Sequence, residues 1–187
     1  HGIENLVRME VRQADGDGVS NVTLRDLIRT SLRMRPDRII VGEVRGEEAL
    51  DMIQSMNTGH DGSLSTGHAN SPQDMLSRLE TMTVFASDIP IQAIRKQIAS
   101  SIDIIVQLER LRDRSRRVTA ITEVLDCTED AYILNPIFEF HEQDNLVMES
   151  SSYGDIPERV VGQLERTGYH LMHRRKLHAA ALESAEI

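Results

Sequence analysis

The apolar residues in the first half of the chain alternate between short runs and helical spacing. Runs at residues 6–11, 38–41 and 63–66 predict short strands, and the unbroken run at 38–41 is typical of a buried parallel strand. Residues 23–35 and 46–56 carry apolar side chains every three or four positions, which predicts amphipathic helices. This alternation of strands and helices predicts an α/β layer.

Capping signals indicate where several of the helices begin. Thr23, followed three residues later by Asp26, has the pattern of a capping box. Ser71 precedes Pro72, and proline fits the first position of a helix best. Pro90 starts a further helix, whose apolar residues again have helical spacing.

The second half of the chain has the pattern of antiparallel strands. Residues 102–108 and 117–125 predict two strands, and the polar turn at 112–115 between them predicts a hairpin. Residues 132–140 predict a third strand. We expect that strand at a sheet edge, because Pro136 has no N–H to donate.

The C-terminal residues predict a linker and one more helix. Residues 150–154 are rich in serine, as linkers are, and residues 157–167 predict a helix that Gly168 stops. The polar tail has no clear pattern. We expect three parts: half of an α/β core at 1–110, an appended hairpin and strand region at 111–149, and the linker, helix and tail at 150–187.

Composition narrows the functional classes. Hydrophobic residues make up 40% of the chain and aromatic residues 3%, so the core is expected to be aliphatic. The net charge of −9 argues against a protein that wraps nucleic acid, because such binding rests on neutralising phosphates. The single cysteine, Cys127, cannot form an intrachain disulfide and fits a reducing compartment. No apolar run reaches the roughly 18 residues of a membrane span.

An acidic residue and an arginine follow the apolar run at residues 38–41. Glu43 stands just beyond the predicted strand, where open α/β sheets bind their ligands. Its carboxylate could hold Mg²⁺ through water and orient an attacking water, and Arg45 could offset phosphate charge. On spacing alone a different interpretation is favoured, a strand that ends in a surface ion pair between these two residues, since many strands end in a charge.

Glycines bracket two histidines in the stretch from residue 59 to residue 71. Glycine lets a ligand approach the backbone, and either His60 or His68 could donate a hydrogen bond to a phosphate oxygen. Taken alone, the stretch is better explained by a loop, a short strand and a helix cap with two surface histidines. A metal site formed by both histidines and Asp61 is a third, disfavoured interpretation, because Asp61 is adjacent to His60.

Together these motifs resemble the type II/type IV secretion ATPase superfamily. Residues 32–46, which read Leu-Arg-Met-Arg-Pro-Asp-Arg-Ile-Ile-Val-Gly-Glu-Val-Arg-Gly, are similar to its Walker B region. Residues 56–62 and 66–71 are similar to its His box. The chain looks closest to the branch that serves tight-adherence (Flp) pili and related archaeal pili, and the similarity continues less sharply to about residue 140.

The resemblance implies the C-terminal half of a RecA-like P-loop NTPase core, with roles assigned by position. It implies that Glu43 is the Walker B glutamate, acting on Mg²⁺ and water. It implies that His68 senses or contacts the γ-phosphate of ATP. Four further positions are expected to contact the nucleotide or support the site: Gly42, Arg45, His60 and Thr66.

One part of the family's site has no match in these 187 residues. The family binds phosphates with a Gly-x-x-x-x-Gly-Lys-[Ser/Thr] loop, the Walker A motif. The two lysines, Lys96 and Lys176, neither follow glycine nor precede serine or threonine. The family's acidic general base also has no assignable match. We therefore expect a C-terminal fragment that is inactive by itself and that folds with some exposed apolar surface.

Two functional hypotheses follow. The first is a cytoplasmic, hexameric motor that hydrolyses ATP with Mg²⁺ to drive pilus assembly or protein secretion. By resemblance it would sit at the inner face of the cytoplasmic membrane on a platform protein and make no direct contact with nucleic acid. The second is a non-catalytic interaction module that uses the same fold to oligomerise. The motifs at Glu43 and His68 favour the first for the parent protein, and the missing loop favours the second for these residues alone.

Overall fold

The structure is a computed structural model that describes residues 3–14, 20–143 and 159–179. Its internal contacts divide the chain into two units. One comprises His1–Ala69 and Met75–Ser101, and the other comprises Asn70–Asp74 and Ile102–Ile187. The first unit is mainly helical with a short parallel sheet, and the second is built on an antiparallel sheet.

The first unit contains the α/β layer that the sequence predicts. Its elements are α1 (Leu24–Leu32), β1 (Ile40–Val41), α2 (Glu48–Met56), β2 (Leu64–Ser65), α3 (Pro72–Ala86) and α4 (Ile91–Ser101). Strands β1 and β2 pair in parallel, with Ile40 opposite Leu64. Aliphatic side chains form the core, among them the fully buried Ile53, Leu76 and Ile98.

The predicted helix starts are confirmed by the capping contacts. The N–H of Asp26 donates to Oγ1 of Thr23 (3.2 Å), and the N–H of Thr23 donates to Oδ2 of Asp26 (2.9 Å), which completes the capping box. Ser71 Oγ accepts a backbone N–H from the first turn of α3 at 3.1 Å. Helix α3 begins at Pro72, and α4 begins directly after Pro90.

The strand predicted at residues 6–11 is wrong. Leu6 and Val7 are exposed, and the nearest pairing is one isolated antiparallel bridge between Arg12 and Val22, just beyond the predicted segment. A strand needs a neighbour with which to share its backbone hydrogen bonds, and the described residues offer residues 6–11 none.

The parallel sheet leaves apolar side chains exposed, as expected. Ile40 and Leu64 are paired across the two strands, yet they are 69% and 60% exposed. Parallel sheets are normally covered on both faces. The RecA-like assignment of this core stays a prediction, because a two-stranded parallel sheet is common to many α/β folds.

The second unit is a four-stranded antiparallel sheet followed by a short helix. Its elements are β3 (Ile104–Arg110), β4 (Arg116–Cys127), β5 (Tyr132–Glu142), β6 (Gly162–Arg166) and α5 (Arg175–Ala179). The strands lie in the order β3-β4-β5-β6. The predicted hairpin is confirmed as β3 and β4.

The edge position predicted for the strand containing Pro136 is wrong, because β5 lies between β4 and β6. Two local features accommodate the proline. The register with β4 shifts beside it, where Ile121 pairs with Phe138 but Thr122 pairs with Pro136. Pairing with β6 starts at Phe138, so Pro136 lies beyond that ladder. An interior strand thus tolerates the missing N–H at a bulge.

The predicted final helix is also wrong where the structure describes it, since Gly162–Arg166 forms β6. Gly162 lies so close to β5 that an added Cβ would stand 2.5 Å from the carbonyl oxygen of His141. Pairing with β5 therefore overrides the local helical pattern. The predicted linker and the start of the predicted helix lie outside the described residues.

A buried carboxylate fastens the segment that follows β6 to the sheet. Glu123 is 0% exposed and accepts hydrogen bonds from Asn135 Nδ2 (2.8 Å), the N–H of Met172 (2.9 Å) and the N–H of His173 (2.7 Å). Burial raises the pKa of Glu123, but these donors outweigh burial and lower it below its ordinary value. The carboxylate is thus held in its ionised form.

Candidate functional site

The two parallel strands deliver their loops to the same sheet edge. Ile40 pairs with Leu64 and Val41 with Ser65, so the residues that follow β1 and β2 leave in the same direction. Two hydrogen bonds extend this alignment beyond the strands. Val44 donates its N–H to the carbonyl of Thr66 (3.0 Å), and Thr66 donates its hydroxyl to the carbonyl of Gly42 (2.5 Å).

At that edge Glu43 contacts both Arg45 and His68. Its Oε2 accepts from Nε of Arg45 at 2.6 Å, and Nε2 of His68 lies 2.5 Å from its Oε1. The predicted proximity of Glu43 and His68 is confirmed. The side chains of Arg45 and His68 are both largely exposed, so they border solvent and could reach a ligand.

The arrangement keeps Glu43 negatively charged. The hydrogen bond from Arg45 is the main cause of a lowered Glu43 pKa; burial opposes it, and the charges of Arg45 and His68 add to the lowering. The pKa of Arg45 is raised by the same pair. An ionised carboxylate can accept a proton or hold a cation, which a protonated one cannot.

One oxygen of Glu43 retains unused acceptor capacity. Oε1 is buried, and no described residue donates to it in hydrogen-bond geometry, although His68 stands at ion-pair distance. Buried carboxylate oxygens normally have a donor or a cation. This oxygen is closed to solvent, so a water molecule, free or bound to Mg²⁺, would reach it only after the side chains around it move. The described residues contain no group of three or more metal-ligating side chains, so Mg²⁺ would take most of its ligands from water and phosphate.

Gly42 and Thr66 both lie at this edge, where Thr66 makes a hydrogen bond with its side chain and Gly42 leaves open space. Thr66 uses its hydroxyl proton on the Gly42 carbonyl, which holds the two loops together. A Cβ added at Gly42 would meet nothing within 4 Å, so the space beside its backbone is open. Thr66 and Gly42 are both predicted to contact the nucleotide. In the structure Thr66 holds the backbone of the two loops together, and Gly42 leaves open space beside its own backbone.

His60 is not brought to the edge that carries Glu43. Its carbonyl accepts the N–H (3.3 Å) and the hydroxyl (2.7 Å) of Ser63, whose Oγ in turn accepts the N–H of Ile39 at the amino end of β1. The ring Nδ1 lies 3.1 Å from a carbonyl in the last turn of α2. His60 therefore precedes β2 at the opposite edge from Glu43 and His68.

Glu48 is a site residue that the sequence reasoning missed. Its Oε1 accepts the N–H groups of both Arg45 (2.6 Å) and Gly46 (3.0 Å). This carboxylate at the start of α2 fixes the backbone that carries Arg45 toward Glu43. The available signal was an acidic residue in the first turn of a helix, where free N–H groups and the helix dipole favour a negative charge.

Comparisons with known proteins agree with these motifs. The family model described as type II/IV secretion system protein matches residues 3–152. The conjugal transfer protein TrbB of Rhizobium radiobacter is 40% identical over 103 residues, covering 55% of this chain and 31% of that protein. VirB11 of Bartonella quintana, a type IV secretion system protein, is 36% identical over 126 residues, covering 64% of this chain and 33% of that protein.

A solved structure shares the fold. The VirB11 ATPase from the Brucella suis type IV secretion system, crystallised with sulphate, is similar with a TM-score of 0.50 and 32% identity, covering 54% of this chain and 31% of that chain. The chain spans about a third of the length of TrbB and of VirB11 from Bartonella quintana. No helix within the described ranges is long and apolar enough to cross a membrane.

Proposed function

Because this chain belongs to the type II/IV secretion system protein family, we propose that it supplies part of the catalytic core of a motor that hydrolyses ATP. The observation that carries the proposal is the convergence of Glu43, Arg45 and His68 at the carboxyl edge of a parallel sheet. This edge is where open α/β folds bind their ligands.

Each residue has a chemical part in the proposed hydrolysis of ATP. Glu43, ionised, orients the attacking water through Oε1 and accepts its proton. His68 contacts the terminal phosphate through Nε2, and Arg45 offsets negative charge that develops there. Glu43 would hold Mg²⁺ through a water molecule, and Mg²⁺ when bound supplies charge neutralisation on the phosphates.

We propose that the working protein is longer and oligomeric. The apolar side chains of Ile40 and Leu64 are exposed, whereas a parallel sheet is normally covered on both faces. This exposure supports a further layer of structure over the sheet, supplied by the rest of the polypeptide together with a Walker A loop. We propose a hexameric ring, docked from the cytoplasm on an inner-membrane platform protein. Its work would be pilus assembly of the tight-adherence type or protein secretion.

The experiment is Glu43→Gln in the full-length protein. This change keeps the shape of the side chain and removes its charge. We expect ATP turnover to fall at least 100-fold, the lower range for loss of general-base catalysis, with ATP affinity nearly unchanged. Glu47→Gln is the matched control, because Glu47 is an exposed neighbour paired with Arg25, and it should leave turnover intact. Normal turnover in Glu43→Gln would refute the assigned role.

The alternative, a non-catalytic oligomerisation module, predicts that the full-length protein has no ATP turnover, whereas both hypotheses predict weak ATP binding by the chain alone. These 187 residues contain no Walker A sequence, and we expect the chain alone to bind ATP weakly or not at all in calorimetry with Mg²⁺. A full-length protein that oligomerises but shows no turnover with any nucleotide would favour the module over the motor.

A further inference from the structure

Gly67 lies within the candidate site and is in close contact with helix α3. It follows Thr66 and directly precedes His68. A Cβ added at Gly67 would stand 2.5 Å from Cε and 2.8 Å from Sδ of Met75, which lies in the first turn of α3. Both distances are shorter than an ordinary contact between such atoms. The Met75 side chain therefore occupies the space that a side chain at position 67 would need.

The backbone of Gly67 does not by itself require glycine. Positive φ angles occur at Gly59 and Gly62 but not at Gly67, so an L-residue would fit the backbone there. The surroundings of Gly42 differ, because an added Cβ at that position would meet nothing within 4 Å. The missing side chain at position 67 is therefore explained by the contact with Met75.

The space beside Gly67 is bordered by two apolar side chains, Met75 and Val44. Val44 is 2% exposed, and its Cγ2 would stand 3.8 Å from the same added Cβ. Val44 separates Glu43 from Arg45 in the loop that follows β1. An unbranched thioether fills an irregular gap of this kind well. The packing around Gly67 thus connects α3 to both loops of the candidate site.

The position of His68 depends on the backbone that carries it. Its side chain is 79% exposed, so the ring is held by that backbone and by its ion-pair partner Glu43. Thr66 is fixed by hydrogen bonds to the loop that follows β1. The contact with Met75 extends this restraint to Gly67, the residue next to His68.

We propose that Met75 is a positioning residue that holds the His68 loop (residues 66–68) against α3, so that the ring of His68 stays beside Glu43. The inference rests on the proposed part of His68 in ATP hydrolysis, because Met75 affects turnover through that residue. The contact itself is measured without nucleotide. Failure of the contact and failure of the proposed function therefore give different results.

Methyl NMR tests the contact in the 187-residue chain. A nuclear Overhauser effect should join the Cε methyl group of Met75 to an Hα proton of Gly67. In Met75→Ala, exchange of the Val44 N–H, which is bonded to the Thr66 carbonyl, should accelerate about tenfold because the loop loses its support. Met75→Leu keeps an apolar side chain of similar volume and should change this exchange less than about threefold. Absence of the methyl contact, or unchanged exchange in Met75→Ala, would overturn the proposal.

ATP turnover by the full-length protein tests the positioning role. Met75→Ala should lower kcat about tenfold, because a displacement of about 1 Å can cost up to roughly 100-fold. KM for ATP should change less than about twofold, and Met75→Leu should retain most of kcat.

The matched control is Met82→Ala in the same helix. Met82 is 8% exposed, so its truncation should lower the melting temperature at least as much as Met75→Ala does, yet leave kcat unchanged. Normal kcat in Met75→Ala would contradict the positioning role. Equal losses of kcat in the two alanine variants would also do so, since they would reflect general weakening of α3.

A further variant separates this role of Gly67 from close approach of a nucleotide to its backbone. In Gly67→Ala the new methyl group displaces the flexible end of Met75, so kcat should fall by a similar factor with a small loss of melting temperature. Because Gly67→Ala and Met75→Ala remove one shared contact, the double variant should be no slower than the slower single variant. If the two losses of kcat multiply instead, Gly67 acts independently of Met75 and the proposal is wrong.

Discussion

Removing the carboxylate of Glu48 should loosen the loop that carries Arg45. In Glu48→Ala the N–H groups of Arg45 and Gly46 lose their acceptor, at 2.6 and 3.0 Å. Each such bond in a partly exposed position contributes about 0.5–1 kcal/mol, so the loop loses about 1–2 kcal/mol. This corresponds to a roughly 5–30-fold rise in the fraction of molecules in which the loop that carries Arg45 is open. Glu48→Gln keeps an acceptor oxygen and should stay within about threefold of the unmodified chain.

Amide hydrogen exchange measures this change at the affected groups. Exchange at Arg45 and Gly46 should accelerate roughly 5–30-fold in Glu48→Ala, while the N–H of Val44, bonded to Thr66, should not change. The Glu43 pKa, followed by carboxyl carbon NMR, should also rise toward its ordinary value, because Arg45 is the main cause of its lowering. Unchanged exchange at both amides, or equal acceleration in Glu48→Gln, would refute the positioning role.

The remaining predictions concern the second unit. Glu123→Ala leaves buried donors without an acceptor and should lower the free energy of unfolding by about 3–5 kcal/mol in urea denaturation. The pKa of Glu123 is lower in the folded state than in the unfolded state. Its contribution to the free energy of unfolding is therefore present above the unfolded pKa of about 4.3 and is lost as the pH falls through the folded pKa. Glu123→Gln should accordingly lose less stability in acid than the unmodified chain. Gly162→Ala should cost about 1–3 kcal/mol because its Cβ would overlap β5, whereas Gly168→Ala, with nothing within 4 Å, should be nearly neutral; thermal melts showing equal effects would contradict this.

Local signals predicted the helix starts well because they act within a few residues. The capping box at Thr23, the cap at Ser71 and the helix starts after prolines each depend on neighbouring residues, and each is found. Proximity of Glu43 and His68 was also predictable, since parallel strands bring their following residues to one edge.

Tertiary pairing decided the elements that were predicted wrongly. Residues 162–166 have a helical pattern but pair with β5, which lies far away in sequence. Pro136 argued for an edge, and the bulge that admits it to an interior strand has no sequence signal of its own. His60 and His68 have similar glycine-rich sequence contexts, and these contexts offered no reason to separate them. His60 precedes β2 and His68 follows it, and they therefore lie at opposite edges of the sheet.

A double-mutant cycle on ATP turnover by the full-length protein tests most directly whether Glu43 and His68 act on one phosphate. The variants are Glu43→Gln, His68→Ala and the combination of both. Residues that share one reacting group are coupled, so the double variant should be hardly slower than the slower single variant, with a coupling of about 1 kcal/mol or more. If the losses of turnover in the two single variants instead multiply in the double variant, or if His68→Ala has normal turnover, the contact at this sheet edge is a surface ion pair and not a shared catalytic site.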